Sequence, residues 1–229
     1  MIHNRLIALY YRLGSLIFAL IGLLAVMGVF TGDFNPSLMV YYTLQSNILA
    51  LVLFALLFFY TLKGLREEGR NGVTGYFARL EMVVVIDLLL TLIVYWVLLA
   101  PGFFSMDGPY SPYKFSSIAT HLITPLLCLL DYILFTDSGH LRYKDVFLVL
   151  IYPLAYMVGS SLAGLLGYVY RVNPDGTPVR SPYFFYDFDQ IGAQSLLYIG
   201  ALVVFFLLLS HGFYWVDKKV KKPVLLPKR

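Results

Sequence analysis

The chain is poor in charged residues and contains a single cysteine. Charged residues make up 13% of its 229 residues, whereas 59% are hydrophobic and 17% are aromatic. This balance excludes an ordinary soluble domain and places the chain among membrane proteins. Because Cys128 is alone, no intramolecular disulfide can form. No small-residue cleavage site follows the first apolar run, which is also too long for a cleaved signal peptide.

Six apolar segments are long enough to cross a bilayer as helices. They run roughly over Leu6–Phe30, Ser37–Leu62, Phe77–Ala100, Lys114–Thr136, Asp145–Tyr170 and Gln190–Val216. No internal repeat, low-complexity tract or long linker divides the chain. We therefore predict an all-α polytopic membrane protein, with residues 1–229 forming a single bundle of six transmembrane helices.

The basic residues predict the orientation of this bundle. With six spans, 14 of the 17 Lys and Arg residues fall on the side of the two termini, among them Arg5, Arg12, Arg79 and six residues of the C-terminal tail. The positive-inside rule then places both termini in the cytoplasm of a multi-pass cell-membrane protein. The net charge of +4 comes mostly from that tail. We expect it to face lipid headgroups, with no nucleic acid as partner. The oligomeric state stays open.

The outer ends of the spans carry two further signals. Asn35 and Pro36 have the residue types of a helix N-cap and first turn, which predicts that the second span begins there. The longest outer loop, Arg171–Asp189, is rich in Pro, Gly and Tyr and is a candidate lid. Tyrosines gather at these ends as in an interfacial belt, namely Tyr110, Tyr113, Tyr168, Tyr170, Tyr183 and Tyr186.

A polar segment interrupts the second span, and a histidine lies in the fourth. If the second span begins at Pro36, Thr43 lies about 10 Å along its axis, and a fourth span that begins at Pro112 puts His121 about 13 Å in. Both helices start from the outer side. Thr43 and His121 should therefore share a layer toward the non-cytoplasmic leaflet.

The other residues of the polar segment divide between two faces of the helix. Asn47 follows Thr43 by four residues and should project from the same face one turn deeper. Gln45 and Ser46 should point elsewhere and serve packing.

Titratable groups in hydrocarbon are expensive and mark functional sites by default. An alcohol and an imidazole at one depth are also the minimal parts of a nucleophile and its base. Thr, Ser and Asn nevertheless often hydrogen-bond between transmembrane helices, so a structural role for Thr43 stays open.

Three carboxylates lie in the interior of the predicted spans. Glu81 and Asp131 are near cytoplasmic helix ends, where pairing with Arg79 or with the basic loops is expected. Asp87 lies nearer the middle and is a candidate carboxylate behind the histidine, with an interhelical hydrogen bond as the alternative. Asp187 could reach down from the outer rim.

Other chemistries find less support in the sequence. No His-Glu-x-x-His pattern indicates zinc, and His211 does not match His121 in depth as a second haem ligand would. We expect no metal and no cofactor. An aspartyl pair stays open, since Asp87 and Asp131 differ by only about 8 Å in depth, although no Gly-x-Gly-Asp element accompanies either. The rhomboid-like Gly-x-Ser-Gly site is missing.

Four motifs carry a family resemblance. They are Tyr-Tyr-Thr-Leu-Gln-Ser-Asn at 41–47, His-Leu-Ile-Thr-Pro with a later Asp at 121–131, Tyr-Pro-Leu-Ala-Tyr at 152–156 and Pro-Tyr-Phe-Phe-Tyr-Asp at 182–187. In this order they resemble the six-span androgen-induced-gene family of integral membrane proteins, in its prokaryotic branch. The resemblance implies a threonine hydrolase of fatty acid esters of hydroxy fatty acids. It puts the nucleophile at Thr43 and the catalytic histidine at His121.

The implied reaction is an intramembrane ester hydrolysis through an acyl-enzyme. His121 would accept the Thr43 proton, and Asn47 is the predicted oxyanion donor. The lipid ester would enter sideways from the bilayer. A non-catalytic small transporter or lipid-binding protein that uses the same pocket is the alternative, and a purely structural role for the polar groups is a third.

Overall fold

The computed structural model describes residues 1–101 and 111–219 and contains six helices long and apolar enough to cross a membrane. They are α1 (Arg5–Val26), α2 (Tyr42–Glu68), α3 (Ala78–Leu99), α4 (Phe115–Phe135), α5 (Tyr143–Leu165) and α6 (Gln194–Lys219). The predicted all-α bundle of six transmembrane helices is thus confirmed. Of the residues named above, Tyr110 and four of the basic tail residues (Lys221, Lys222, Lys228 and Arg229) lie outside the described part.

The long outer loop between α5 and α6 contains short regular elements. Strands β1 (Arg171–Val172) and β2 (Pro178–Val179) form an antiparallel hairpin. A one-turn helix, Phe188–Ile191, follows, and the Asp187 side chain caps it by accepting from the first backbone N–H groups. Asp187 therefore makes a local cap at the rim.

Both ends of the described chain lie on one side of the bundle. The Ile2 N–H donates to the Leu134 carbonyl at the end of α4. At the other end, Asp217 accepts backbone N–H groups from Gly139 and Leu141 in the link between α4 and α5. This arrangement agrees with six spans, and the assignment of that side to the cytoplasm stays a prediction from charge.

The second span begins differently from the prediction. Asn35 does cap the turn that starts at Pro36, since its Oδ1 accepts the Ser37 N–H at 3.1 Å. That turn is a short 3₁₀ segment, and Tyr41 after it is extended, with φ −84° and ψ 142°. The regular helix starts only at Tyr42. The predicted helix start at Pro36 is therefore wrong, and Thr43 lies in the first turn of α2.

Two spans contain a π-helical stretch in their outer halves. In α3 it covers Tyr95–Leu99, and in α4 it covers Ala119–Ile123, with His121 at its centre. Such widened turns are rare in proteins overall, and those that occur are often found at functional sites. Beside the second stretch, α1 approaches closely, since a Cβ on Gly22 would lie 2.9 Å from the Ala119 Cβ. Small residues of this kind let transmembrane helices pack tightly.

A buried ion pair ties the inner halves of the spans together. Arg12 is completely buried and donates to Asp131 from Nη2 at 2.8 Å and from Nε at 3.0 Å. Its Nη1 donates to the Thr61 hydroxyl and to the Thr74 carbonyl. Arg12 was expected to be a topology charge, and Asp131 to pair with Arg79 or the loops. The pairing of Asp131 is confirmed, but Arg12 is its partner.

The two other residues of that prediction bind elsewhere. Arg79 pairs with Asp145, with Nε 2.7 Å from Oδ2. Glu81 accepts from the Thr136 hydroxyl and from the Phe77 N–H at the start of α3. Both contacts fix helix ends at the side of the termini.

Helices α5 and α6 diverge toward the outer side. The first part of α5, Tyr143–Leu150, packs closely on α6, whereas the described residues of Ile151–Leu165 hardly approach it. The outer halves of the two helices are also largely exposed on their apolar faces. The backbones of α5 and α6 are therefore further apart in the outer half of the bundle than in the inner half.

Candidate functional site

Side chains of the polar segment at the start of α2 form hydrogen bonds with three neighbouring helices, α3, α4 and α5. The Tyr152 hydroxyl of α5 donates to Gln45 Oε1 at 3.1 Å. The Ser46 hydroxyl lies 3.2 Å from the Thr91 hydroxyl of α3. Both side chains therefore form interhelical hydrogen bonds, in line with the packing role predicted for them.

Asn47 binds α4. Its Nδ2 donates to the Thr43 carbonyl at 2.8 Å and to the Thr120 carbonyl at 3.1 Å, next to His121. Spans two and four thus meet beside His121. Both N–H groups of the Asn47 amide are occupied, however, and none is left for an oxyanion. This geometry argues against the predicted donor role, and it leaves Asn47 Oδ1 buried without a partner among the described residues.

Thr43 lies at the N-terminus of α2 and is half-buried. No side chain of the N-cap residue Tyr41 caps this helix. Instead, the Tyr183 hydroxyl from the outer loop faces the Thr43 hydroxyl and the backbone N–H groups of Tyr42 and Thr43. The first N–H groups of a helix have no helical acceptor. The Tyr183 hydroxyl therefore lies near the first N–H groups at the outer end of α2.

Tyr183 keeps its proton there. Burial raises the pKa of the Tyr183 phenol to about 12, and the hydrogen bonds from Thr43 and the α2 N–H groups counteract part of that rise. The phenol is therefore neutral at physiological pH. It can leave the helix start without separating a charge from its partner.

The imidazole of His121 is held by its own helix. It is 8% exposed, and its Nδ1 lies 3.0 Å from the Ser117 carbonyl and 3.2 Å from the Thr120 hydroxyl. A carbonyl can only accept, so this contact assigns the proton to Nδ1. Nε2 then carries the lone pair that a general base needs. Among the described residues, no hydrogen bond joins His121 to Thr43.

An apolar cavity of about 90 Å³ opens beside Thr43. Its walls come from α2, α3, α5, α6 and the outer loop, and they include Tyr42, Leu90, Tyr95, Leu150, Pro153, Tyr156, Tyr183, Tyr186 and Phe206. Three of the four motifs that carry the family resemblance, at 41–47, 152–156 and 182–187, contribute to these walls. Tyr183 and Tyr186 therefore face inward, which corrects their assignment to the interfacial belt. Tyr113 and Tyr168 are exposed, as a belt requires.

Tyr95 contacts both the cavity and the histidine. Its ring lines the cavity together with Thr43, while the imidazole of His121 is not part of the wall. The two rings are stacked, with centroids 3.6 Å apart and planes inclined by 18°. Sequence reasoning missed Tyr95, because an aromatic residue near the end of a span has the pattern of an interfacial anchor.

Asp87 forms its hydrogen bond with Tyr42 of α2. It is 0% exposed, and its Oδ1 accepts the Tyr42 hydroxyl at 3.0 Å. Its Oδ2 has no partner among the described residues. No hydrogen bond joins Asp87 to the imidazole in the part of the chain that the structure describes, so the predicted carboxylate behind His121 is not seen. Since Asp131 is bound to Arg12, the two aspartates do not form a catalytic pair.

The described residues hold no group of three or more His, Cys, Asp or Glu side chains that could bind a metal.

In comparisons with family models, curated proteins and solved structures, no match to the chain was found. The resemblance to the androgen-induced-gene family accordingly stays a prediction from the four motifs.

Proposed function

We propose that the protein is an intramembrane hydrolase of lipid carboxylic esters that uses Thr43 as nucleophile and His121 as general base. One observation carries this proposal. The Thr43 hydroxyl lies at a helix start, beside N–H groups that have no helical acceptor, and it borders an apolar cavity inside a membrane bundle. The site thus combines an alcohol, N–H groups that can stabilise a negative charge and an apolar cavity that can hold a hydrocarbon chain.

The reaction begins with attack of Thr43 Oγ1 on the ester carbonyl carbon. His121 Nε2 takes the hydroxyl proton and returns it to the departing alkoxide, so that an alcohol leaves and an acyl-threonine remains. Water then attacks the acyl-threonine, again with the imidazole as base, and releases the carboxylic acid. For the first step, the Thr43 hydroxyl has to come within hydrogen-bonding distance of the imidazole.

Backbone groups supply the oxyanion site in place of Asn47. The N–H groups of Tyr42 and Thr43 lie near the Tyr183 hydroxyl, and the α2 dipole favours negative charge at the same position. The substrate carbonyl oxygen takes this position when the outer loop moves Tyr183 aside. An oxyanion donor of this kind typically contributes on the order of 100-fold or more in rate.

The substrate reaches the site from the outer leaflet of the cell membrane. Leu154 of α5 lines the cavity and is also 38% exposed on the lipid side, where α5 and α6 diverge. In this proposal an acyl chain enters between α5 and α6 without crossing water. Fatty acid esters of hydroxy fatty acids suit the site, because they carry a single ester group between two apolar chains.

The experiment compares Thr43→Ala, Thr43→Ser and His121→Ala in detergent-purified protein, with ester turnover and thermal unfolding measured on each. Thr43→Ala and His121→Ala should lower turnover by on the order of 1,000-fold or more, while both proteins still unfold cooperatively. Thr43→Ser keeps a hydroxyl and should retain part of the activity. Wild-type turnover by Thr43→Ala would overturn the proposal.

A lipid-binding or small transport protein without chemistry is the second candidate. The lack of a hydrogen bond between Thr43 and His121 among the described residues favours it. In that case a lipid ester should stabilise Thr43→Ala as much as the wild type, and neither protein should release product.

A further inference from the structure

Tyr95 touches both parts of the proposed site. On one side its ring forms cavity wall together with Thr43, and on the other it stacks on the imidazole of His121 at 3.6 Å. The ring is also buried, so its own position is fixed by the bundle.

Two contacts together fix the direction of the free imidazole nitrogen. The bond from Nδ1 to the Ser117 carbonyl sets the rotation of the ring about its side-chain bonds. The stack on Tyr95, inclined by only 18°, sets the plane of the ring. Without the second contact, the His121 ring could tilt about its hydrogen bond, and the direction of the Nε2 lone pair would no longer be fixed.

The backbone on both sides is adapted to this contact. Tyr95 is the first residue of the π-helical stretch of α3, and His121 lies in the middle of the stretch in α4. A widened turn re-aims the side chains that follow it. Here two such turns, in different spans, bring an aromatic ring and an imidazole face to face.

We propose that Tyr95 is a positioning residue, which holds His121 so that Nε2 can reach the Thr43 hydroxyl. This proposal rests on the hydrolase function proposed above. The ring is the active feature, since it supplies the flat surface on which the imidazole lies. The hydroxyl of Tyr95 is not needed for this role.

The kinetic test uses Tyr95→Phe and Tyr95→Leu, with Tyr95→Met as a second variant without a ring that fills the same wall. Tyr95→Leu and Tyr95→Met should lower kcat by roughly 10- to 100-fold, because small misplacements of catalytic groups have effects of this size. The acid limb of their pH–kcat profile should also move. Tyr95→Phe should keep kcat within about threefold and keep the wild-type profile.

Tyr156→Leu is the matched control. Tyr156 is another aromatic residue of the cavity wall, and its ring contacts are with Tyr42 and Tyr183. Its replacement should change KM and leave the pH–kcat profile as in the wild type. If Tyr95 only formed part of the cavity wall, Tyr95→Leu and Tyr156→Leu should have the same effect on kcat, KM and the pH–kcat profile.

A second measurement does not depend on turnover. The imidazole signals of ¹⁵N-histidine-labelled protein are recorded, with the His121 signal assigned by its loss in His121→Gln. Stacking on Tyr95 should shift this signal upfield in the wild type and in Tyr95→Phe, and the shift should vanish in Tyr95→Leu and Tyr95→Met. If the wild type hydrolyses no ester, the proposed function fails while the ring shift still reports whether Tyr95 holds His121.

Three outcomes would overturn the positioning role. One is a wild-type kcat and pH profile in folded Tyr95→Leu or Tyr95→Met. Another is a loss in Tyr95→Phe as large as that in Tyr95→Leu, since it would assign the effect to the hydroxyl. The third is a His121 signal that is unchanged in every Tyr95 variant.

Discussion

The bundle contains two polar layers, and they are built in opposite ways. In the inner layer, Arg12 donates to Asp131, to Thr61 and to the Thr74 carbonyl, and the charges neutralise each other. In the outer layer, Asn47 Oδ1 and Asp87 Oδ2 are buried without partners among the described residues, and the apolar cavity adjoins the layer. The polar groups named in the inner layer are bonded to one another, whereas the outer layer contains buried acceptors without a partner among the described residues.

The difference teaches that a polar residue in a membrane helix does not by itself indicate chemistry. A fully bonded buried network rigidifies a fold, whereas an incompletely bonded one beside a cavity is available to a ligand. The composition of the two layers is similar, since each contains an aspartate, a threonine and a basic side chain, Arg12 in the inner layer and His121 in the outer layer. Their hydrogen bonds and the neighbouring space separate them.

The largest expected effect on stability comes from breaking the inner layer. Arg12→Met leaves the Asp131 carboxylate buried without its partner and should destabilise the protein by about 3–5 kcal/mol. Ester turnover per folded molecule should change little, because Arg12 lies away from the cavity. Denaturant unfolding in detergent, paired with an activity assay on the folded fraction, measures both quantities.

The control for Arg12 removes both charges at once. Arg12→Met with Asp131→Leu should be more stable than Arg12→Met alone, because no uncompensated charge remains. A double variant that is less stable than the single one would show that packing around Arg12, rather than its charge, stabilises the inner layer.

The outer layer should respond in activity instead. Val203→Trp places a large ring in the α6 wall of the cavity and should lower kcat/KM for long-chain esters by roughly 10- to 100-fold, since each buried methylene contributes about 0.8 kcal/mol. Short-chain esters should be affected less. Val204→Trp is the matched control, because Val204 is 56% exposed on the lipid side. Equal losses in both variants would argue against an acyl chain in the cavity.

A smaller effect is expected at the contact that covers the site. Tyr183→Phe removes the hydroxyl from the start of α2 and should lower stability by about 0.5–1.5 kcal/mol. Turnover should stay within a few-fold of the wild type or rise, because the oxyanion position becomes free. A loss as large as that in Thr43→Ala would show instead that the Tyr183 hydroxyl takes part in the chemistry. Thermal unfolding and initial rates decide between the two.

The sequence predicted the coarse fold well, because length and hydropathy are enough to identify spanning helices. It did not predict where α2 begins. Asn35 and Pro36 form a genuine helix-start pattern, but the turn they begin ends at Val40, and Tyr41 is extended. Local residue types indicate a start and say little about how far a helix continues.

The site was predicted in part. The bond from Asn47 to the Thr120 carbonyl shows that α2 and α4 meet beside His121, whereas the pairing of Thr43 with His121 stays a prediction. That same bond removed Asn47 as an oxyanion donor. The pairing of Arg12 with Asp131 joins residues that are far apart in the chain, so no local pattern could indicate it. The inward position of Tyr183 depends on how the outer loop folds back, which its composition does not specify.

The central claim is that Thr43 is a nucleophile, and covalent labelling tests it most directly. Purified protein is treated with a lipid-like fluorophosphonate probe, digested and analysed by mass spectrometry, in parallel with Thr43→Ala and His121→Ala. We predict an adduct on the peptide that contains Thr43, its absence in Thr43→Ala and a strong decrease in folded His121→Ala. A wild-type protein that turns over ester while its adduct forms at another residue, or not at all, would contradict the account.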